Sequence, residues 1–408
     1  MTNQVKPTTR SDLLKLLCEA AELEHGIACS YLYAGFSLKR DLSEGGLTWE
    51  EQQMVRRWAA QIYFVASQEM LHLALVWNLT TAIGGTPYYL RPNFPQEPSY
   101  YPLKVPLRLE PFGVKSLRRF VQYEHPEDGS PVDRSVKALL DQVRDDDDEF
   151  RFESVGEMYG LIRQGFEDID ENELFIGAPA QQMTPEFVHF PDLVAVTDRK
   201  SALEAIDEIT DQGEGRKGHR ENSHFMAFVT ILKELVETGN SRSQFAPARP
   251  AMVNPSARSV QGYGANANPI GNPAAAKVAG LFDSTYSLML RMLAWSFEFD
   301  ADPEDPKVNE QLKKFCSTAI DFMPRVLLPI GEGLMLMPAG DRHPGKTAGP
   351  GFGLTRHVML PPDAKNALTL CRERIRELAA IAGDVVKDPL PDSVKAGCRH
   401  LQQLAERF

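Results

Sequence analysis

Glu69 and His72 stand three residues apart inside the apolar stretch from Ile62 to Val76, and the same spacing recurs at Glu221 and His224, ahead of Phe225, Phe228 and Ile231. On a helix, positions i and i+3 share a face. Here that face also carries Ile62, Val65 and Val76, so it should point into a core. A buried carboxylate is costly unless it is paired or binds a metal. Two further helical stretches carry one inward carboxylate each, at Glu24 and Glu157. The order is Glu24, then Glu69 with His72, then Glu157, then Glu221 with His224. Two Glu-x-x-His helices and two single-Glu helices are the ligand set of dinuclear iron or manganese carboxylate bundles. Oxygen and nitrogen donors without thiolate suit iron, with manganese as the alternative, better than structural zinc.

Glu214 competes for the fourth carboxylate position. It sits between Gly213 and Gly215, where the glycines permit an unusual backbone, and it could reach a metal from a broken helix. On pattern alone Glu214 and Glu221 are equal candidates. The metal-free alternative for the whole set is a buried ionic network. Such a network needs bases, and few lie near Glu24 and Glu69: Lys15 and Lys39 are distant along their helix, and Arg56 and Arg57 precede Glu69 by more than three turns. Carboxylates crowded without cations repel and titrate upward.

The elements that must position these residues are helical. Residues 11 to 40 read as one helix, capped at Ser11 or Asp12, with Leu13, Leu17, Ala20, Ala21, Glu24, Ala28 and Tyr31 on one face. A second helix spans 48 to 83, opened by a Thr48–Glu51 capping box and closed by Gly84-Gly85-Thr86-Pro87. Residues 86 to 113 lack helical period and read as a long ordered excursion. A short helix is predicted at 114 to 124, loop at 125 to 150, a third long helix at 154 to 171, irregular chain at 172 to 198, and helix at 201 to 212 and 221 to 237. After a Pro-, Gly- and Asn-rich loop over 240 to 275, helices are expected at 276 to 298, 307 to 336 with kinks at Pro324 and Pro329, 362 to 382 and 391 to 407. The fold class is therefore all-α: a four-helix bundle over residues 1–240 with long irregular insertions, and a second part, 241–408, of loop and C-terminal helices packed on it. Tyr31, Tyr63 and Tyr159 lie on the bundle helices and could line a pocket.

Composition bounds the function class. The chain has 408 residues, 43% hydrophobic and 25% charged, enough for a sizeable core. A net charge of -12 argues against a general nucleic-acid binder. The five cysteines are scattered, with no Cys-x-x-Cys pair and hence no zinc ribbon or disulfide framework. The first residues lead into no apolar signal region, and no run approaches a membrane span, so a reducing cytoplasm is the expected compartment.

The stretch Ala21-Glu22-Leu23-Glu24-His25-Gly26-Ile27-Ala28-Cys29-Ser30-Tyr31-Leu32-Tyr33 resembles the first helix of the ferritin-like family that includes the iminophenyl-pyruvate dimer synthases of violacein-type pathways. Glu69-Met70-Leu71-His72, Gly84-Gly85-Thr86-Pro87, Val155-Gly156-Glu157-Met158-Tyr159, Gln212-Gly213-Glu214-Gly215 and Ser223-His224-Phe225 follow in the family's order, across residues 11 to 235. Phe282-Asp283-Ser284-Thr285-Tyr286 and Ala348-Gly349-Pro350-Gly351-Phe352 are similar too. The resemblance implies a ferritin-like bundle and a bound metal pair, and it favours Glu214 as a ligand beside His224. The expected function is a dinuclear iron oxidoreductase acting on a small, amino-acid-derived substrate with dioxygen or peroxide, as a monomer or small homo-oligomer. The alternative is a non-enzymatic iron-binding or storage protein. The long excursions count against a storage shell, because they would obstruct close assembly and suit the walls of a substrate pocket.

Overall fold

The computed structural model describes residues 6–96, 106–125, 134–142, 155–213, 223–257, 267–297, 306–354, 359–361 and 363–408. Two long antiparallel helices form its spine: α1, Arg10–Ser37, and α2, Trp49–Ala82. Thr9, two positions before Ser11, caps α1, its hydroxyl accepting from the Asp12 amide at 3.2 Å. The Thr48–Glu51 capping box of α2 is present as expected. Gly84, at φ 81, provides the left-handed residue just beyond α2 that ends the helix. The two helices approach closely because Gly35 has no side chain: a Cβ there would meet the Tyr63 ring at 2.7 Å.

Four shorter helices complete the bundle. α3, Val114–Tyr123, pairs with α8, His224–Ser241, and α5, Val155–Asp168, pairs with α7, Arg199–Gly213. Each pair also packs on α1 or α2. Between them lie α4, Arg134–Gln142, where loop was expected, and the single turn α6, Glu171–Leu174. The misreading at α4 has a simple cause. Only two turns of the sequence there have helical period, and they sit between the Pro- and Asp-rich stretches that dominate 125 to 150. The acidic run 145–149 lies outside the described residues.

The C-terminal part is helical as well: α9, Pro273–Ser296; α10, Pro306–Phe322; α11, Leu328–Leu334; α12, Ala364–Val385; and α13, Asp392–Arg407. Asn272 caps α9, with Pro273 in the first turn where its missing N–H costs nothing. A π-helical turn, Met323–Leu327, joins α10 to α11 at Pro324, the expected kink. α11 reaches back onto α1, and one continuous apolar core runs from Leu13 through Phe282 to Leu404. The only strands among the described residues are the parallel pair Pro255–Ser256 and Asn268–Pro269. No helix among the described residues is long and apolar enough to cross a membrane.

Candidate metal centre

Glu24, Glu69, His72 and His224 converge in the middle of the bundle, all buried. Glu24 comes from α1, Glu69 and His72 from α2, and His224 from the first turn of α8. A fifth group joins them: Glu124, immediately after α3. Two sets of three donors result, Glu24–Glu69–His72 and Glu69–Glu124–His224, and within each set the ligand atoms lie within 4.8 Å of one another.

The arrangement is nearly symmetric about Glu69. His72 Nδ1 is 3.1 Å from Glu69 Oε2 and 3.6 Å from Glu24 Oε2. His224 Nδ1 is 2.8 Å from Glu69 Oε1 and 3.6 Å from Glu124 Oε2. Each oxygen of one carboxylate thus faces one imidazole and one further carboxylate. The imidazoles lie 5.5 Å apart, inclined by 27°.

Outer contacts orient the four members around Glu69. His72 Nε2 donates to Gln212 Oε1 at 3.2 Å, and His224 Nε2 donates to Gln68 Oε1 at 3.0 Å. With Nε2 as the donor, each ring turns Nδ1 toward the carboxylates, and loss of the Nδ1 proton would present its lone pair there, which is how a second partner selects a ligand tautomer. Tyr159 Oη donates to Glu24 Oε1 at 2.5 Å, and Tyr31 Oη donates to Glu124 Oε1.

Electrostatics make this cluster costly without a cation. Burial, with some help from Glu69, pushes the Glu24 carboxyl up to about 7. Burial and then Glu69 raise Glu124. Burial would raise Glu69 too, but the charges of His224 and His72 outweigh it and hold the carboxyl well below its usual range. Burial opposes the charge of His224, yet Glu69 and Glu124 lift it to about 9. His72 is likewise held well above its ordinary value, by Glu69 chiefly, against burial. Glu124 also sits at the negative end of α3, where a carboxylate is disfavoured.

The fit to metal ions rests on local geometry. Glu69 Oε1 and His224 Nδ1 face each other closely but without the angles of a hydrogen bond, and both are buried. Two donors converging in this way are arranged for a third body between them. A cavity of about 30 Å³, lined by Glu24, Glu69, His72, Glu124, Tyr159 and Gly213 among others, opens at this point. One small occupant needs about 10–15 Å³ by this measure, so the space suits ions rather than an organic molecule.

Glu157 is not part of the cluster. It lies on the exposed side of α5, whose inward stripe is Met158, Tyr159, Ile162 and Phe166. The third carboxylate facing the site is Glu124, with Tyr159 as the contribution of α5. Glu124 had a readable signal: with Leu117, Phe120 and Val121 it continues one helical face, as Glu24 does on α1. Glu214 and Glu221 lie outside the described residues. Of the three tyrosines, Tyr31 and Tyr159 reach the site, whereas Tyr63 bonds Arg40 and Glu332 elsewhere.

A family model described as Ferritin-like matches residues 17–233, and the chain belongs to that family. It is 30% identical to the dichlorochromopyrrolate synthase of Lentzea aerocolonigenes, over 98% of this chain and 41% of that protein. It is 28% identical to the 2-imino-3-(indol-3-yl)propanoate dimerase of Chromobacterium violaceum, over 84% of this chain and 34% of that protein. The chain therefore spans about two-fifths of the first relative and a third of the second. A ferritin-like protein from Caulobacter vibrioides superposes with a TM-score of 0.46 at 22% identity, covering 76% of this chain and 94% of that one.

Proposed function

We propose that this chain is a dinuclear iron oxidoreductase that acts on a small, amino-acid-derived substrate of specialised metabolism, with dioxygen or peroxide as oxidant. The observation that carries the reading is the pair of buried triads sharing Glu69. Glu24 and His72 would hold one ion, Glu124 and His224 the other, with the Glu69 carboxylate between them. Three carboxylates against two divalent ions leave one positive charge, which a fourth carboxylate, Glu214 or Glu221, would neutralise. Manganese fits the same donors. When bound, a reduced metal pair supplies activation of the oxidant.

This chain's own residues do the rest. Gln68 and Gln212 fix the two imidazoles with Nδ1 inward. Tyr31 and Tyr159 stay protonated, because burial and the neighbouring carboxylates hold both phenols well above their usual range. Each phenol therefore keeps its hydrogen and donates it to the outer oxygen of one terminal carboxylate, holding that carboxylate in place and leaving its other oxygen for a metal. The surrounding apolar residues exclude water from the site. The relatives' names support an enzyme rather than a store: one is a synthase, and the other is named for a dimerisation of 2-imino-3-(indol-3-yl)propanoate.

Elemental analysis combined with an oxygen-consumption assay tests the reading. The purified chain should hold close to two iron or manganese ions and consume oxygen or peroxide with an aryl imino acid. Many irons per chain in a large shell would favour storage instead.

A further inference from the structure

Beside the triads, on the adjoining face of α1 and α2, lies a second cavity, of about 190 Å³, closed by α9, α10 and the segment around Phe190. Its wall is almost entirely carbon and sulfur. Trp77, Phe190, Tyr286 and Phe297 supply aromatic faces, and Met70 and Met289 supply thioethers. Ala28 and Ala74 make the room. An apolar cavity of about 150 Å³ stays dry and takes a benzene ring, so this one has space for a fused bicyclic ring. Flat aromatic walls and polarisable thioethers favour a π-system over an aliphatic chain.

The end wall is built with unusual care. Tyr286 Oη shares a hydrogen bond with His25 Nε2 and lies 3.1 Å from Cys29 Sγ. Arg91 Nη2 lies 3.6 Å from the same sulfur and donates to the Phe352 carbonyl at 2.7 Å. Phe352, at φ 48, holds a left-handed conformation that a non-glycine residue rarely adopts, and its ring meets Tyr286 edge-on at 5.2 Å. Three sequence motifs unused by the metal centre converge here: His25 and Cys29 of the first helix, Tyr286, and the loop ending at Phe352. Tyr286 Oη is tied to His25 Nε2 and Cys29 Sγ, which leaves the ring of Tyr286 as an apolar floor. Glu69 lies on the wall of this cavity and of the metal-sized one.

We propose that this cavity binds the aryl side chain of an aromatic amino-acid derivative, seating it against Glu69 so that the polar end of the molecule lies toward the triads. The proposal deepens the functional reading above and rests on it for the identity of the substrate, though not for the ring-binding site itself. Trp77 and Phe297 form the sides, the Tyr286 ring the floor, and exposed His189 marks the mouth.

Indole is the probe. Calorimetric titration of the metal-free chain with indole is expected to show one saturable site. Ala74→Phe and Ala28→Phe each place a ring in the cavity and are expected to weaken indole roughly tenfold or more, with helical circular dichroism and metal content unchanged. Photolabelling of the unaltered chain with 5-azidoindole locates the site without any substitution, so it holds even where a variant fails to fold. Adducts are expected within residues 70–77 and 286–297. Absence of saturable binding, undiminished binding in both folded filled variants, or adducts confined to other peptides overturns the proposal. Indole binding in a chain that takes up no metal would sink the oxidoreductase reading and leave the ring site standing. Two bound metals without indole binding would do the reverse.

Discussion

Glu24 and His25 are adjacent in sequence and serve adjoining faces of one helix. Glu24 faces a small polar cavity crowded with carboxylates, while His25 faces a larger apolar one, its Nε2 bonded to Tyr286. Both sides are buried to the same degree. What differs is the density of charge. On the His25 side Tyr286 Oη bonds His25 Nε2 and Cys29 Sγ, His25 Nδ1 has no hydrogen-bond partner among the described residues, and the cavity wall is almost wholly apolar. On the Glu24 side, Glu69 and His224 converge without bonding, and three buried carboxylates face two imidazoles and two tyrosine hydroxyls. Burial by itself marks neither function. A charge-dense cluster calls for a cation, and an apolar void calls for a ring.

The sharpest way to break this contrast is to remove the shared carboxylate. Glu69→Ala should abolish binding of both metals, whereas His72→Ala or Glu24→Ala should remove one. In the metal-free chain the same Glu69→Ala change leaves two imidazoles without their main partner, and a loss of about 3–5 kcal/mol in denaturant unfolding is expected. Full metal content in Glu69→Ala would end the shared-ligand account.

The third carboxylate gives the next largest effect. Glu124→Ala should lose one metal per chain by elemental analysis, and Glu157→Ala none, with both retaining helical circular dichroism. The reverse pattern would restore the sequence-based expectation over the structural one. The fourth carboxylate is separable in the same way. Of Glu214→Ala and Glu221→Ala, one should lower metal content, and equal content in both would exclude each as a ligand.

These residues also show what could be read beforehand. Glu24, Glu69 and His72 were legible because each interrupts an apolar helical stripe, and burial of charge is visible in periodicity alone. His224 followed from repetition of the spacing. The inward position of Glu124 is harder to read because it ends a helix of only ten residues. Glu157 faces outward rather than inward as expected, because its helix turns Met158 and Tyr159 to the core, and a phase difference of one residue moves a side chain by about 100°. The bundle, the capping box of α2 and the kink at Pro324 depend on local sequence and were all legible. The pairing of His25 with Tyr286 spans 261 residues, and periodicity tells which face is buried without telling what covers it.

A smaller, pH-dependent effect should separate the metal-free and metal-loaded chains. Against the effect of burial, Glu69 and Glu124 raise the folded His224 to about 9, above its unfolded value, so its contribution to stability is complete below about 6.5 and is lost as pH rises through about 9. Burial raises Glu24 to about 7, so ionising it adds a cost that grows between about 4.5 and 7. Both act in one direction: the melting temperature of the metal-free chain should fall from pH 6 to pH 9. The loaded chain, with its imidazole lone pairs engaged, should not follow, and metal affinity should rise over the same range. A metal-free melting temperature that rises with pH would contradict the assigned charges. Smallest of all, Tyr159→Phe removes one neutral donor from Glu24 and should cost about 1 kcal/mol without changing metal stoichiometry.

The most direct test of the central claim is anomalous diffraction from crystals of the iron- or manganese-loaded chain. The account predicts two peaks per chain, one on His72 Nδ1 with Glu24 and one on His224 Nδ1 with Glu124, and the Glu69 carboxylate between them. A single peak, or an ion held without Glu69, would contradict it.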